Sequence, residues 1–315
     1  MSGSELSETV VSRTHTYQKV WQDAQRVDWQ VRDLINPTKP LDFTKPFLPE
    51  SLVRTDDIVF LNPAEKLALN HVRGCSYLHL FVLVEQFIIP TVLEQVKRLG
   101  FDDIFATQAL LGFAEEEGKH IHLFQEFATA FEQGFGHPCD RLESTTTIAN
   151  KILKHHPLSV LLLTLQFEWT TQNHYLESVR ENDEDDLDPR FCDLLKHHWM
   201  EEAQHTKLDT LLIYDLAARL GSDEVDVVIA EHFQLVHLLH DALMEQVNLD
   251  LVNLERAVGR VFSASERQEI LSVQQQAYRW AFLCAGLTHP NFIKVLSDLN
   301  PAGKVRVTEL AKGWS

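Results

Sequence analysis

The chain has 315 residues, 44% of them hydrophobic, enough for a substantial core in one large domain or two small ones. Its 28 Lys and Arg against 46 Asp and Glu give a formal charge of −18, which argues against nucleic acid as a partner, because phosphate binding needs clustered cations. Cys75, Cys139, Cys192 and Cys284 form no C-x-x-C pair, which excludes a rubredoxin-type iron site and offers no disulfide framework.

The first residues, MSGSELSETVV, have no basic start and no long apolar run, so no signal peptide is expected. Buried thiols fit a reducing compartment, and the expected location is cytoplasmic. The most apolar windows are broken by Glu85, Pro90 or Glu168 and read as too short to span a bilayer.

In chain order, residues 1–11 read as frayed and residues 12–34 as one amphipathic helix with Val20, Trp21, Val27, Val31 and Leu34 on its apolar side. Pro37, Pro40, Pro46 and Pro49 then enforce an extended segment to about residue 62, whose Phe43, Phe47, Leu48 and Phe60 should pack over the rest. Helices follow over about 63–98, with Pro90 expected to kink the first, and over 103–133. A crossover spans 137–157, then helices 157–181, 189–220, 223–256 and 264–286, and a tail with a short helix. No strand alternation, Gly-rich phosphate loop or domain linker is evident. The reading is one all-α domain in three parts: a helix and Pro-rich wrap at 1–62, a bundle at 63–220, and packing helices at 221–315.

Chemistry concentrates on four of these helices. Two carry a lone Glu in an apolar run, Glu85 in HLFVLVEQFIIP and Glu168 in LLLTLQFEWTT. The other two carry Glu-x-x-His, Glu117 with His120 and Glu202 with His205, a spacing that puts both side chains on one helix face. The four lie at matching depth. Glu85 is 99 − 85 = 14 residues from the turn at Leu99–Gly100, and Glu117 is 117 − 103 = 14 from Asp103, so both stand roughly 21 Å from one turn. Glu168 is 14 residues before Asn182 and Glu202 is 13 after Pro189, which repeats the arrangement.

The stripes through these residues are apolar. One reads Leu110, Phe113, Glu117, His120, Phe124, Phe127, Phe131; another reads Phe191, Leu195, His198, Glu202, His205, Asp209, Leu212. Four core-facing carboxylates at one level would repel, and two divalent cations remove that cost. Four Glu and two His suit iron or manganese, hard ions that carboxylates and imidazole both accept. One Glu from each of two helices plus Glu-x-x-His from each of the other two is the pattern of ferritin-like di-metal bundles. By analogy with such bundles, Glu117 and Glu202 are the bridging candidates; Glu85 and Glu168 are terminal or bridging. His198, one turn before Glu202, is a candidate seventh ligand, with a core hydrogen bond as the alternative. Asp209, at His205 + 4, is expected to accept a hydrogen bond from His205 as an outer partner. Tyr77, Tyr175 and Tyr214 read as core packing, with lining a cavity or relaying electrons as the alternative.

The order Glu85, Glu117-x-x-His120, Glu168, His198-x-x-x-Glu202-x-x-His205 resembles the AurF-like arylamine N-oxygenases over about residues 60–220. The resemblance implies a di-iron monooxygenase that activates O2 through a peroxo species and oxidises an aryl amine towards hydroxylamine and nitro. Its metal and catalytic set is then Glu85, Glu117, His120, Glu168, His198, Glu202 and His205, holding two Fe ions, with Mn as the alternative. An acyl hydroxylase or desaturase and a manganese-catalase-like protein also share the six-ligand pattern, but neither accounts for His198. Ribonucleotide reductase small subunits fit less well, because the position of their radical tyrosine is Phe124 here. The expected partners are a small amine or apolar substrate, O2 and an electron donor. Neither nucleic acid nor membrane is expected, and a homodimer stays open.

Overall fold

The computed structural model describes residues 16–142 and 144–314; the frayed start expected at 1–11 lies outside them. The described residues are all-α, with no strand among them. The ferritin-like centre is two hairpins, α4 (Pro63–Leu99) with α5 (Ile104–Phe135), and α7 (Pro157–Ser178) with α8 (Pro189–Ala217). Around it, in chain order, come α1 (Tyr17–Ala24), α2 (Val31–Leu34), α3 (Glu50–Val53) and the crossover helix α6 (Thr145–Ile152). They are followed by α9 (Ser222–Val258), α10 (Ala264–Arg279), α11 (Ala285–Leu287), α12 (Pro290–Leu299) and α13 (Pro301–Trp314).

Local chemistry sets the ends of the four site helices, and therefore the depth of their ligand-type residues. Asn62 caps α4 through the amides of Ala64 and Glu65, Glu65 returns a bond to Asn62 N, and Pro63 takes the first turn. Asp103 caps α5 through Phe105 and Ala106, and Gly136 ends it at φ 79°, a left-handed position that suits glycine. Asp188 caps α8 through Phe191 N while its other oxygen accepts Asp42 N at 2.8 Å, so one carboxylate both starts the helix and anchors the wrap.

The wrap packs over the bundle as expected. Asn70 accepts from Phe47 N at 2.7 Å and Leu48 N at 3.1 Å and donates to Leu48 O at 2.7 Å. Phe47 lies face to face on Phe191, centroids 4.5 Å apart, and is fully buried, which contributes roughly 2–3 kcal/mol.

Three expectations are corrected. The helix read over 12–34, of which 12–15 lie outside the described residues, is two helices within 16–34 with a break at 25–30, where the chain leaves the helix and buries Trp29 against α5 and α8 instead of continuing an amphipathic stripe. The helix read over 264–286 widens into a π turn at Trp280–Cys284. Side chains of α7 take up the carbonyls there: Gln166 reaches Leu283 O at 3.4 Å, Asn173 reaches Ala285 O at 2.8 Å and His174 reaches Ala281 O at 2.7 Å. Finally, α4 is long and apolar enough by length and composition to cross a membrane, contrary to the sequence reading, although 67% of its most apolar stretch is buried inside the bundle. It runs as one helix through Pro90, whose missing N–H falls at an exposed position.

Candidate metal centre

The four helices bring all seven ligand-type residues to one level. Glu85 projects from α4, Glu117 and His120 from α5, Glu168 from α7, and His198, Glu202 and His205 from α8; none is more than 2% exposed. Ligand atoms of Glu85, His120, His198 and Glu202 lie within 4.8 Å of one another, and so do those of Glu117, His120, Glu202 and His205.

Within this cluster two carboxylates divide their oxygens between two imidazoles. Glu117 presents Oε1 to His205 Nδ1 at 3.0 Å and Oε2 to His120 Nδ1 at 3.2 Å. Glu202 presents Oε1 to His120 Nδ1 and Oε2 to His205 Nδ1, both at 3.2 Å. Two donors on adjacent vertices of one six-coordinate ion, each about 2.1 Å from it, stand about 3.0 Å apart, so this spacing fits donors that share cations. Glu168 stands slightly apart, 3.9 Å from His205 Nδ1.

Unmet bonding capacity supports the same fit. Glu85 Oε2, Glu117 Oε1, both oxygens of Glu168 and both ring nitrogens of His198 are buried without a hydrogen-bond partner. His198 Nε2 comes within 2.7 Å of Glu202 Oε1 and 3.5 Å of Glu85 Oε1, yet makes no hydrogen bond of acceptable geometry to either. Buried polar atoms are rarely left this way, and a cluster of carboxylate oxygens and ring nitrogens with unmet bonding capacity is what a cation satisfies. A set of four carboxylates and three imidazoles suits iron or manganese.

Protons balance the charge when no metal is bound. Burial, then the neighbouring Glu117, pushes the Glu85 carboxyl well above the usual carboxylate range. Burial opposes charging His120, but hydrogen bonds to Glu117 and Glu201 lift it to about 10. Burial likewise opposes charging His205, and the carboxylates of Glu202 and Glu117 outweigh it. His198 differs: burial and the nearby His120 push it well below its ordinary value, leaving a neutral ring.

The far side of each imidazole corrects the expectation for Asp209. His205 Nε2 donates to Glu116 Oε2 at 2.8 Å, and His120 Nε2 donates to Glu201 Oε2 at 2.9 Å. Because Nδ1 of each ring faces the carboxylate cluster, Nε2 points across to the opposite helix and away from its own next turn. Asp209 is fully buried with neither oxygen bonded, and burial raises its pKa well above the usual range. Glu116 and Glu201 were missed by the sequence reading. Their signal was the doubled acid: both motifs read Glu-Glu-x-x-His, 116–120 and 201–205.

An apolar shell closes the centre. Phe113 stacks on His205 with centroids 4.0 Å apart, and Phe81 and Phe124 meet His198 edge-on at 5.5 and 5.0 Å. Trp29 lies parallel to His120 at 6.3 Å, and Lys119, which pairs with Glu201, sits 4.1 Å over the Trp29 ring. An apolar cleft of about 20 Å³ includes Val84 and Phe167, the residues preceding Glu85 and Glu168. Tyr175 packs on Trp199, and Tyr214 bonds Asp298, so both serve packing.

No family model matches the sequence, and no curated protein matches it significantly. Solved structures of R2-like ligand-binding oxidases are similar to it. One with an aerobically reconstituted Mn/Fe cofactor gives a TM-score of 0.49 at 15% identity, covering 86% of this chain and 94% of that one. One with an Fe/Fe cofactor gives 0.46 at 15%, covering 89% and 98%. One with a non-activated Mn/Mn cofactor gives 0.46 at 15%, covering 90% and 97%.

Proposed function

We propose that this protein is a di-metal oxidase that uses O2 to oxidise a small organic substrate, an aryl amine first among the candidates. Two iron ions, with manganese as the alternative, would be held by Glu85, Glu117, His120, Glu168, His198, Glu202 and His205. Among them, Glu117 and Glu202 each face both His120 and His205. Bound there, the ions would supply electrons to O2.

The chain's own groups do the rest. Glu116 and Glu201 fix the tautomer of the two imidazoles by accepting a hydrogen bond from each Nε2–H, which leaves each Nδ1 lone pair to ligate. Phe81, Phe113 and Phe124 keep bulk water from the centre, so charges inside interact strongly. The observation that carries the finer reading is His198. A third neutral imidazole beside Glu202 and Glu85, bonded to neither, favours amine oxidation over the six-ligand alternatives.

The test is anaerobic loading with Fe(II), exposure to O2 with a panel of aryl amines, and mass analysis for hydroxylamine, nitroso and nitro products. Wild type is expected to yield them, and His198→Ala to keep most of its metal but lose turnover. Oxidation of an acyl chain and of no amine would replace this reading with that of a desaturase. Gas release from peroxide by the manganese form, with no amine product, would replace it with that of a catalase.

A further inference from the structure

Two turns before Glu85 on α4 stands Tyr77, 2% exposed, with its hydroxyl 2.9 Å from His174 Nδ1 on α7. The tautomer of His174 is set by its other nitrogen. Nε2 lies 2.7 Å from the carbonyl of Ala281, an acceptor with no proton to give, so Nε2 carries the hydrogen and Nδ1 the lone pair. The phenol therefore donates to His174. That carbonyl lies in the π turn at Trp280–Cys284, so the irregular turn has a consequence: it holds a buried imidazole ready to take a proton. Burial lowers the pKa of His174 to about 4 and so keeps the ring neutral at ordinary pH.

Ring contacts lead from the pair to His198. Tyr77 lies 4.5 Å from Phe81, and Phe81 lies 5.5 Å from His198. Eight residues of helix separate Tyr77 from Glu85, about 12 Å along the axis. Tyr278 is the other fully buried tyrosine near this path, 5.5 Å from Phe282, which is 5.9 Å from Phe81. Its hydroxyl donates to Asp250, but the Arg73 guanidinium lies 3.5 Å over its ring, which disfavours loss of an electron there.

We propose that Tyr77 and His174 form a one-electron donor to the metal centre. The proposal rests on the di-metal oxidase reading. Reduction of O2 to two waters takes four electrons, and two M(II) ions going to M(III) supply two. In the step proposed, the O2-oxidised metal centre gains one electron from Tyr77 through Phe81. The phenolic O–H bond breaks, its proton passes to His174 Nδ1, and a neutral tyrosyl radical and an imidazolium remain. Return of one electron to the ring and of the proton from His174 restores the pair. Without substrate, the chain then contributes the third electron and an external electron donor the fourth, so that O2 is reduced to two waters with both ions at M(III).

The experiment is electron paramagnetic resonance of Fe(II)-loaded protein frozen at intervals after mixing with O2 in the absence of substrate. Metal content and O2 consumption are measured on the same samples. Wild type is expected to show a tyrosyl signal that changes with ring-deuterated tyrosine. Tyr77→Phe should lose the signal while still binding metal and consuming O2, Tyr278→Phe should retain it, and His174→Gln should lose most of it. A wild type that binds metal and consumes O2 without a tyrosyl signal overturns the relay and leaves the oxidase reading intact. A signal that survives Tyr77→Phe and disappears in Tyr278→Phe also overturns it. A protein that binds no metal overturns both. Should Tyr77→Phe fold poorly, 3-fluorotyrosine incorporation into wild type, which alters the hyperfine pattern of the radical, together with His174→Gln, reads the same point.

Discussion

His120 on α5 is held by Glu201 on α8, Nε2 to Oε2 at 2.9 Å, and Glu201 is the residue just before the ligand-type Glu202. The relation is reciprocal, since His205 on α8 is held by Glu116 on α5 at 2.8 Å. Each hairpin thus orients the imidazole of the other, and the second acid of each Glu-Glu-x-x-His motif serves the opposite helix. Replacing Glu116 or Glu201 with Ala should weaken metal affinity by about 10–100-fold, the range typical of outer partners of metal-bound histidine, while all seven ligand-type residues remain. Chelator competition measures this. Unchanged affinity in both variants would show that the two carboxylates do not orient the rings.

Metal uptake should release protons. In the metal-free centre the pKa values of Glu85, His120 and His205 are all raised, His120 to about 10, so each group holds its proton to higher pH than it ordinarily would. A cation needs the carboxylate and the neutral Nδ1, so binding competes with protonation and the apparent affinity rises with pH. Falling pH refills these groups and expels metal. Titrating metal into weakly buffered protein with a pH indicator should record release of at least one proton per chain. Affinity that stays flat between pH 6 and 8, a range below the His120 pKa of about 10 in which that ring holds its proton, with no release, would contradict the protonation pattern.

Much of this was legible in the sequence because the helices are long and strongly capped. Asn62, Asp103 and Pro189 fix where α4, α5 and α8 begin, and a regular helix converts position into depth, so Glu85, Glu117, Glu168 and Glu202 could be placed at one level before any coordinates. What escaped depended on contacts between elements. Periodicity carried the N-terminal helix through residues 25–30, but burial of Trp29 against His120 and His197 takes the chain out of helix there. The π turn is set by Gln166, Asn173 and His174 on α7, which nothing within residues 264–286 announces. Asp209 was assigned by spacing on its own helix, whereas ring orientation, with Nδ1 inward, decided the partner.

Gly286 marks how closely α11 approaches α7. A Cβ there would stand 2.0 Å from Gln166 O and 2.4 Å from Thr170 Oγ1, and the backbone oxygen cannot move aside without shifting α7. Gly286→Ala should destabilise by about 1–3 kcal/mol or more, the usual cost of overpacking, and should loosen the π turn with it. Thermal unfolding measures the first effect. A variant as stable as wild type would mean that the two helices can separate without cost.

The proposed oxidase requires two cations among the seven ligand-type side chains. Anomalous X-ray scattering at the iron and manganese edges, from crystals of metal-loaded protein, locates them without reference to activity. The expected map has two peaks roughly 3.5–4 Å apart, the separation usual for paired metals, bounded by Glu85, Glu117, His120, Glu168, His198, Glu202 and His205. No peak among these residues, or metal bound only elsewhere, would contradict the assignment of a di-metal centre.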